Sequence, residues 1–120
     1  MMAARVTLAA LAAVLSAGVA IAHTQTDHAI PPVGSTVTTS PPEIRIFFTQ
    51  ALNPAQSNIE LATDNGVPVA TSRAIVDTAD PQQMALRLPP LAPGTYRVKW
   101  HALGADRHLV NGDYTFEVAR

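Results

Sequence analysis

Short segments of alternating apolar and polar residues, separated by closely spaced turn residues, dominate this chain after residue 30. Proline, glycine and asparagine recur so often that the intervals between them are too short for helices. Within the intervals, apolar side chains occupy every second position, which is the period of a β-strand. The apolar positions with this period are Ile44, Ile46 and Phe48; Ile59 and Leu61; Met84, Leu86 and Leu88; Tyr96, Val98 and Trp100; and Tyr114, Phe116 and Val118.

A period of two with one polar face is typical of antiparallel sheets that bury only one side. About seven such strands in a chain of this length predict an all-β fold, either an immunoglobulin-like β-sandwich or a Greek-key β-barrel. The stretch PPLAPGTYRVKW, residues 89–100, predicts a turn that leads into a central strand. Gly94 can adopt a positive φ at that turn because it has no Cβ.

The first 22 residues have the features of a secretory signal peptide. Arg5 is followed by an uncharged apolar run from Val6 to Ile21, and residues 20–22 form a small-x-small cleavage pattern. The run is shorter than the roughly 20 residues that a membrane-spanning helix needs, so we expect cleavage rather than retention as an anchor. The predicted organisation is a signal peptide over 1–22 and one periplasmic domain over 23–120, whose mature chain does not insert into the membrane.

The composition of residues 23–120 excludes several functions. Seven Lys and Arg stand against nine Asp and Glu, because only Arg5 is lost with the signal. This balance offers no basic surface for nucleic acid. There is no cysteine, no GxSxG motif and no glycine-rich phosphate loop, so no catalytic nucleophile is visible and we do not expect an enzyme. Any bound metal must use nitrogen, oxygen or methionine sulfur.

Three residues are candidate metal ligands. His23 would follow the cleavage site directly, so its free amine and its Nδ1 could chelate one ion. Asp106 and His108 lie in the predicted loop between the last two strands, and in an extended segment their side chains would point the same way. Three nitrogens and one oxygen suit a tetragonal Cu(II) site, although Zn(II) could take the same donors tetrahedrally.

The other histidines and the methionines have simpler interpretations. His101 continues the outward series of Arg97 and Lys99, which predicts a solvent-facing strand position. His28 is predicted to be exposed or to lie at a sheet edge. After signal cleavage only Met84 remains, on the apolar face of a strand, so a thioether cluster for Cu(I) cannot be formed.

Four elements together resemble the CopC/PcoC copper resistance proteins over essentially the whole mature chain. They are the histidine after the signal, IPPVGSTVTTSPPEIRIFFTQAL, LAPGTYRVKWHALGADRH and the final NGDYTFEV. The resemblance implies a small exported β-sandwich that binds one Cu(II) ion through His23, Asp106 and His108. The Met-rich Cu(I) site of that family has no counterpart here, which implies a Cu(II)-only member.

The leading hypothesis is therefore a periplasmic Cu(II) carrier or buffer in copper resistance, homeostasis or import. The resemblance suggests an inner-membrane copper transporter of the CopD type as its partner. A small copper monooxygenase, which would also use an N-terminal histidine, is disfavoured because few residues remain for a substrate surface and because an anionic Asp106 stabilises Cu(II). A metal-free adhesion or assembly module stays open, because a β-sandwich alone does not specify function.

Overall fold

The computed structural model describes residues 24–120, so the predicted signal peptide over 1–22 and His23 lie outside the described residues. Eight strands and one 3-10 turn are present between residues 24 and 120. They are β1 (Thr26–Ile30), β2 (Thr36–Val37), β3 (Glu43–Phe48), the 3-10 turn (Pro54–Gln56), β4 (Asn58–Thr63), β5 (Ile75–Val76), β6 (Gln83–Arg87), β7 (Gly94–Leu103) and β8 (Leu109–Val118). Over this range no helix has the length and apolar character needed to cross a membrane.

The strands form two open four-stranded sheets. One sheet has the order β1-β3-β6-β5 and the other has the order β2-β8-β7-β4. All neighbours pair antiparallel except β2 and β8, which are parallel. The prediction of an all-β fold is confirmed, and of its two forms the open sandwich is the one observed. Three strands, β1, β2 and β5, are present in addition to the five strands that the alternating pattern predicts.

The core lies between the sheets and consists of the alternating residues. Fully or nearly fully buried apolar side chains include Ile44, Ile46, Phe48, Ile59, Leu61, Met84, Leu86, Tyr96, Val98, Tyr114, Phe116 and Val118. Leu88 and Trp100, which the same pattern assigned to the core, are partly buried against it. Strand β7 lies between β8 and β4, and Gly94 at its start has a φ of +150°, as the turn motif predicted.

One end of the sandwich brings three distant segments together. Before β1, the backbone N–H of Thr49 donates to the carbonyl of Gln25 at 2.9 Å. The chain after β3 then crosses to the other sheet, where Leu52 pairs with Gly104 at the end of β7. Three segments therefore meet at this end: Thr24 and Gln25 before β1, which we call the leading segment, the segment after β3, and the loop between β7 and β8.

Candidate metal centre

Asp106 lies in a tight turn and His108 directly follows that turn, whereas the spacing of the sequence predicted an extended segment. The N–H of Arg107 donates to the carbonyl of Gly104 at 3.0 Å, which closes a four-residue turn. Arg107 itself has a φ of +66°, in the left-handed region that side chains seldom adopt. This left-handed residue reverses the local chain direction, and the two flanking side chains still meet.

The distance from Asp106 Oδ2 to His108 Nδ1 is 3.6 Å. The Asp106 side chain is 13% exposed, whereas the His108 side chain is 59% exposed. The carboxylate therefore forms the inner wall of the site, and the imidazole lies at its open side.

Backbone hydrogen bonds fix the orientation of the Asp106 carboxylate. Its Oδ1 accepts from the backbone N–H of His108 at 3.1 Å. This hydrogen bond is the main reason why the pKa of Asp106 is lowered from its ordinary value; desolvation opposes the shift, and the Thr24 backbone, the charge of His108 and the Thr24 hydroxyl add to it. The carboxylate is therefore ionised at neutral pH and available to a cation.

Thr24, in the leading segment, contacts the Asp106 carboxylate. Its Oγ1 lies 3.1 Å from Gln50 Oε1 and 3.4 Å from Asp106 Oδ1. Gln50 Oε1 also accepts from the backbone N–H of Asp106 at 3.0 Å. Thr24, Gln50 and Asp106 thus form one hydrogen-bonded group, which we call the Thr24–Gln50–Asp106 triangle.

Gly104 allows the close approach of Thr24. A Cβ at position 104 would overlap the Thr24 hydroxyl oxygen and would lie 2.9 Å from the Thr24 Cβ. Only glycine leaves room for the leading segment to pack against the start of the loop.

Of the three predicted ligands, Asp106 and His108 are brought together, and His23 lies outside the described residues. Within residues 24–120, no group of three or more histidine or carboxylate side chains is arranged to hold a metal ion.

The two other histidines lie elsewhere. The His28 ring stacks on Phe47 with centroids 4.1 Å apart, and its Nδ1 is 2.9 Å from Asp27 Oδ2. His28 is exposed on the edge strand β1, as predicted. His101 is half-buried on β7, where it is opposite Asn58 and Asn111.

Thr24 and Gln50 are the residues of this site that sequence reasoning missed. Threonine and glutamine are not among the side chains that commonly bind Cu(II) or Zn(II). The contact from Thr24 to Asp106 joins residues 82 positions apart, and the contact from Thr24 to Gln50 joins residues 26 apart. Nothing in the spacing of the sequence signals either contact.

The Asp106–His108 pair fits a single metal ion. Two donors that each lie about 2.0–2.2 Å from one ion are between about 2.8 and 4.4 Å apart, depending on the angle between them. The observed 3.6 Å falls inside that interval. One carboxylate oxygen and one imidazole nitrogen are donors that suit Cu(II) and Zn(II).

Comparison with known proteins gives consistent matches over the described part of the chain. The sequence model of the CopC domain matches residues 26–119. The copper resistance protein C of Escherichia coli is 34% identical over 108 residues, which cover 82% of this chain and 83% of that protein.

Two solved structures share the fold. The crystal structure of CopC from Methylosinus trichosporium OB3b superposes with a TM-score of 0.77 at 32% identity, covering 81% of this chain and 94% of that one. The structure of PcoC from Escherichia coli, described as a methionine-rich copper resistance protein, superposes with a TM-score of 0.69 at 33% identity, covering 81% and 99%.

Proposed function

Because the chain belongs to the CopC domain family, we propose that it is a periplasmic protein that carries or buffers one Cu(II) ion in copper resistance, homeostasis or import. The homologous copper resistance proteins indicate a copper-related function, and this family is not one of enzymes. The observation that carries the proposal is the 3.6 Å approach of Asp106 and His108 at the end of the sandwich where Thr24 also lies.

The proposed ligands are the amine and Nδ1 of His23 together with Asp106 and His108. Signal cleavage after Ala22 would turn the His23 nitrogen from an amide into a primary amine. The contact of Thr24 with Asp106 supports this set, because only one peptide unit separates Thr24 from His23. The free amine has a pKa of about 7.7–8.0, so a bound metal must displace its proton near neutral pH.

The donor set favours Cu(II) over Cu(I). Cu(I) prefers thioether and thiolate sulfur, and Met84, which remains after the signal, is fully buried in the core of the sandwich. Met84 is the one methionine of residues 23–120, whereas PcoC is described as methionine-rich. This supports a Cu(II)-only protein that transfers its ion without a change in oxidation state.

Transfer to a partner is compatible with the exposure of His108. With 59% of its side chain accessible, this ligand could be exchanged for a donor of an acceptor protein while Asp106 still holds the ion. We propose an inner-membrane copper transporter of the CopD type as that acceptor.

The test is a Cu(II) titration of the exported protein, followed by electron paramagnetic resonance, after mass spectrometry has identified its first residue. We expect His23 as the first residue and a tetragonal spectrum that saturates at one copper per chain. His108→Ala and His23→Ala should each change the spectrum, whereas the matched control His28→Ala should not, because His28 stacks on Phe47 away from the site.

Two results would contradict the proposal. A spectrum that is unchanged in the His23→Ala, His108→Ala double variant would exclude the assigned ligands. An exported protein with no copper affinity below the micromolar range would favour a metal-free module instead.

A further inference from the structure

Thr24 is buried although it precedes an exposed edge strand. It is 3% exposed, whereas Gln25 to His28, which follow it, are all exposed. The threonine hydroxyl has hydrogen-bond partners in Gln50 and Asp106, and it also lies against Gly104. A buried hydroxyl is costly unless it is hydrogen-bonded, so these contacts determine where Thr24 lies.

The contacts join the three segments that meet at this end of the sandwich. The Thr24 hydroxyl can donate to Gln50 Oε1 at 3.1 Å or to Asp106 Oδ1 at 3.4 Å. Gln50 Oε1 accepts from the N–H of Asp106 as well. The triangle therefore fixes the Asp106 backbone, the Asp106 carboxylate and the leading segment relative to one another.

We propose that Thr24 is a positioning residue of the copper site, whose hydroxyl, held by Gln50, orients the Asp106 carboxylate before the metal arrives. This inference rests on the proposed function. Gln50 is the anchor of the arrangement, because its Oε1 contacts both Thr24 and the Asp106 backbone. Ordering a metal ligand at the moment of binding costs affinity, and a carboxylate that is already oriented avoids that cost.

The test replaces the hydroxyl without changing the shape of the side chain. Thr24→Val removes the hydrogen bonds and keeps the branched volume, Thr24→Ser keeps the hydroxyl, and Gln50→Leu removes the shared acceptor. Thr26→Val is the matched control, since Thr26 is an exposed threonine two residues further along the same edge. All variants are purified as exported proteins with verified N-termini.

We expect Thr24→Val and Gln50→Leu to weaken Cu(II) binding by about 10- to 100-fold in chelator competition, as loss of groups that orient metal ligands generally does. Their resonance spectra should broaden or split, because the Asp106 carboxylate would sample several orientations. Thr24→Ser should recover affinity to within about threefold of the parent, and Thr26→Val should match the parent. A purely structural role would lower stability without this spectral change.

A metal-free measurement separates this inference from the proposed function. In hydrogen exchange, the Asp106 amide should be protected in the parent and should lose protection in Thr24→Val. Unchanged protection, or a Thr24→Val affinity equal to that of the parent, would overturn the positioning role. His108→Ala is run in parallel, and parent-like copper binding by that variant would refute the ligand assignment while leaving the exchange result to decide the role of Thr24.

Discussion

Replacing Gly104 by alanine tests how tightly the leading segment packs against the loop between β7 and β8. The added Cβ would overlap the Thr24 hydroxyl oxygen, and it would lie 2.9 Å from the Thr24 Cβ and 3.1 Å from Gln50 Oε1. Neither the hydroxyl nor the Cβ of Thr24 is the end of a long flexible side chain. The substitution must therefore displace the leading segment, the loop or both.

Two opposing contributions decide whether Gly104→Ala raises or lowers the free energy of unfolding. Gly104 does not have a positive φ, so its backbone can accept alanine. In open space such a change would stabilise the protein by about 0.4–1 kcal/mol, because alanine restricts the unfolded chain. Overpacking costs about 1–3 kcal/mol. We therefore expect Gly104→Ala to lower the free energy of unfolding by about 1–2 kcal/mol and to weaken Cu(II) binding.

Urea unfolding of the metal-free protein and chelator competition for Cu(II) measure the two effects. Gly66→Ala is the control, because Gly66 has a φ of +88° and no atom lies within 4 Å of an added Cβ. It should destabilise by about 1 kcal/mol through the backbone alone and leave copper binding unchanged. Adding Thr24→Ala to Gly104→Ala should recover part of the lost stability, because it removes the overlapping oxygen. A Gly104→Ala protein that is as stable as the parent and binds copper equally well would refute the packing argument.

Two further predictions concern Tyr114 and Arg107. Within residues 24–120 the buried Tyr114 hydroxyl has no hydrogen-bond partner, and burial raises its pKa to about 12. Because a tyrosine in the unfolded chain ionises near pH 10, the folded protein should lose up to about 3 kcal/mol of stability between pH 10 and pH 12. Urea unfolding of Tyr114→Phe should lack this loss, and an equal loss in both proteins would contradict the assignment. Arg107→Gly should stabilise the metal-free protein by about 0.5 kcal/mol, because glycine adopts the left-handed φ of +66° without strain; a lower urea midpoint would contradict this.

Much of the fold could be predicted because burial on one face leaves a period of two in the sequence. β3, β4, β6, β7 and β8 all carry that period, and each has core residues at alternate positions. β2 and β5 have two residues each, which is too short for any period to show. β2 pairs with a strand far along the chain, with Thr36 opposite Glu117, whereas β5 pairs with the next strand, with Ile75 opposite Ala85.

Strand β1 lacks the alternating pattern for a different reason. Four of its five residues are exposed and the fifth is half-buried, so no alternation marks it. Hydrogen bonding to β3 holds it in the sheet, from Thr26 opposite Phe48 to Ile30 opposite Arg45. An edge strand that buries little apolar surface leaves almost no signal in side-chain character.

The residues of the candidate site could be predicted from their donor atoms, but the backbone conformation that brings them together could not. Asp106 and His108 were selected for their donor atoms, and the structure brings them together. The extended geometry that motivated their pairing is absent, because the positive φ of Arg107 turns the chain between them. An arginine gives no local indication of a left-handed conformation, which glycine or asparagine would have given.

The two oxygens of Asp106 have different environments, and this difference connects the fold to the proposed chemistry. Oδ1 accepts from the His108 N–H at 3.1 Å and lies 3.4 Å from the Thr24 hydroxyl, so it sets the orientation of the carboxylate. Oδ2 then faces His108 Nδ1 at 3.6 Å. The hydrogen bond from the His108 N–H also lowers the pKa of this carboxylate, so it adds to the preference of Asp106 for the ionised form. The backbone N–H of His108 thus orients the carboxylate beside the imidazole and favours its ionised form, and Thr24 brings the start of the domain to the same oxygen.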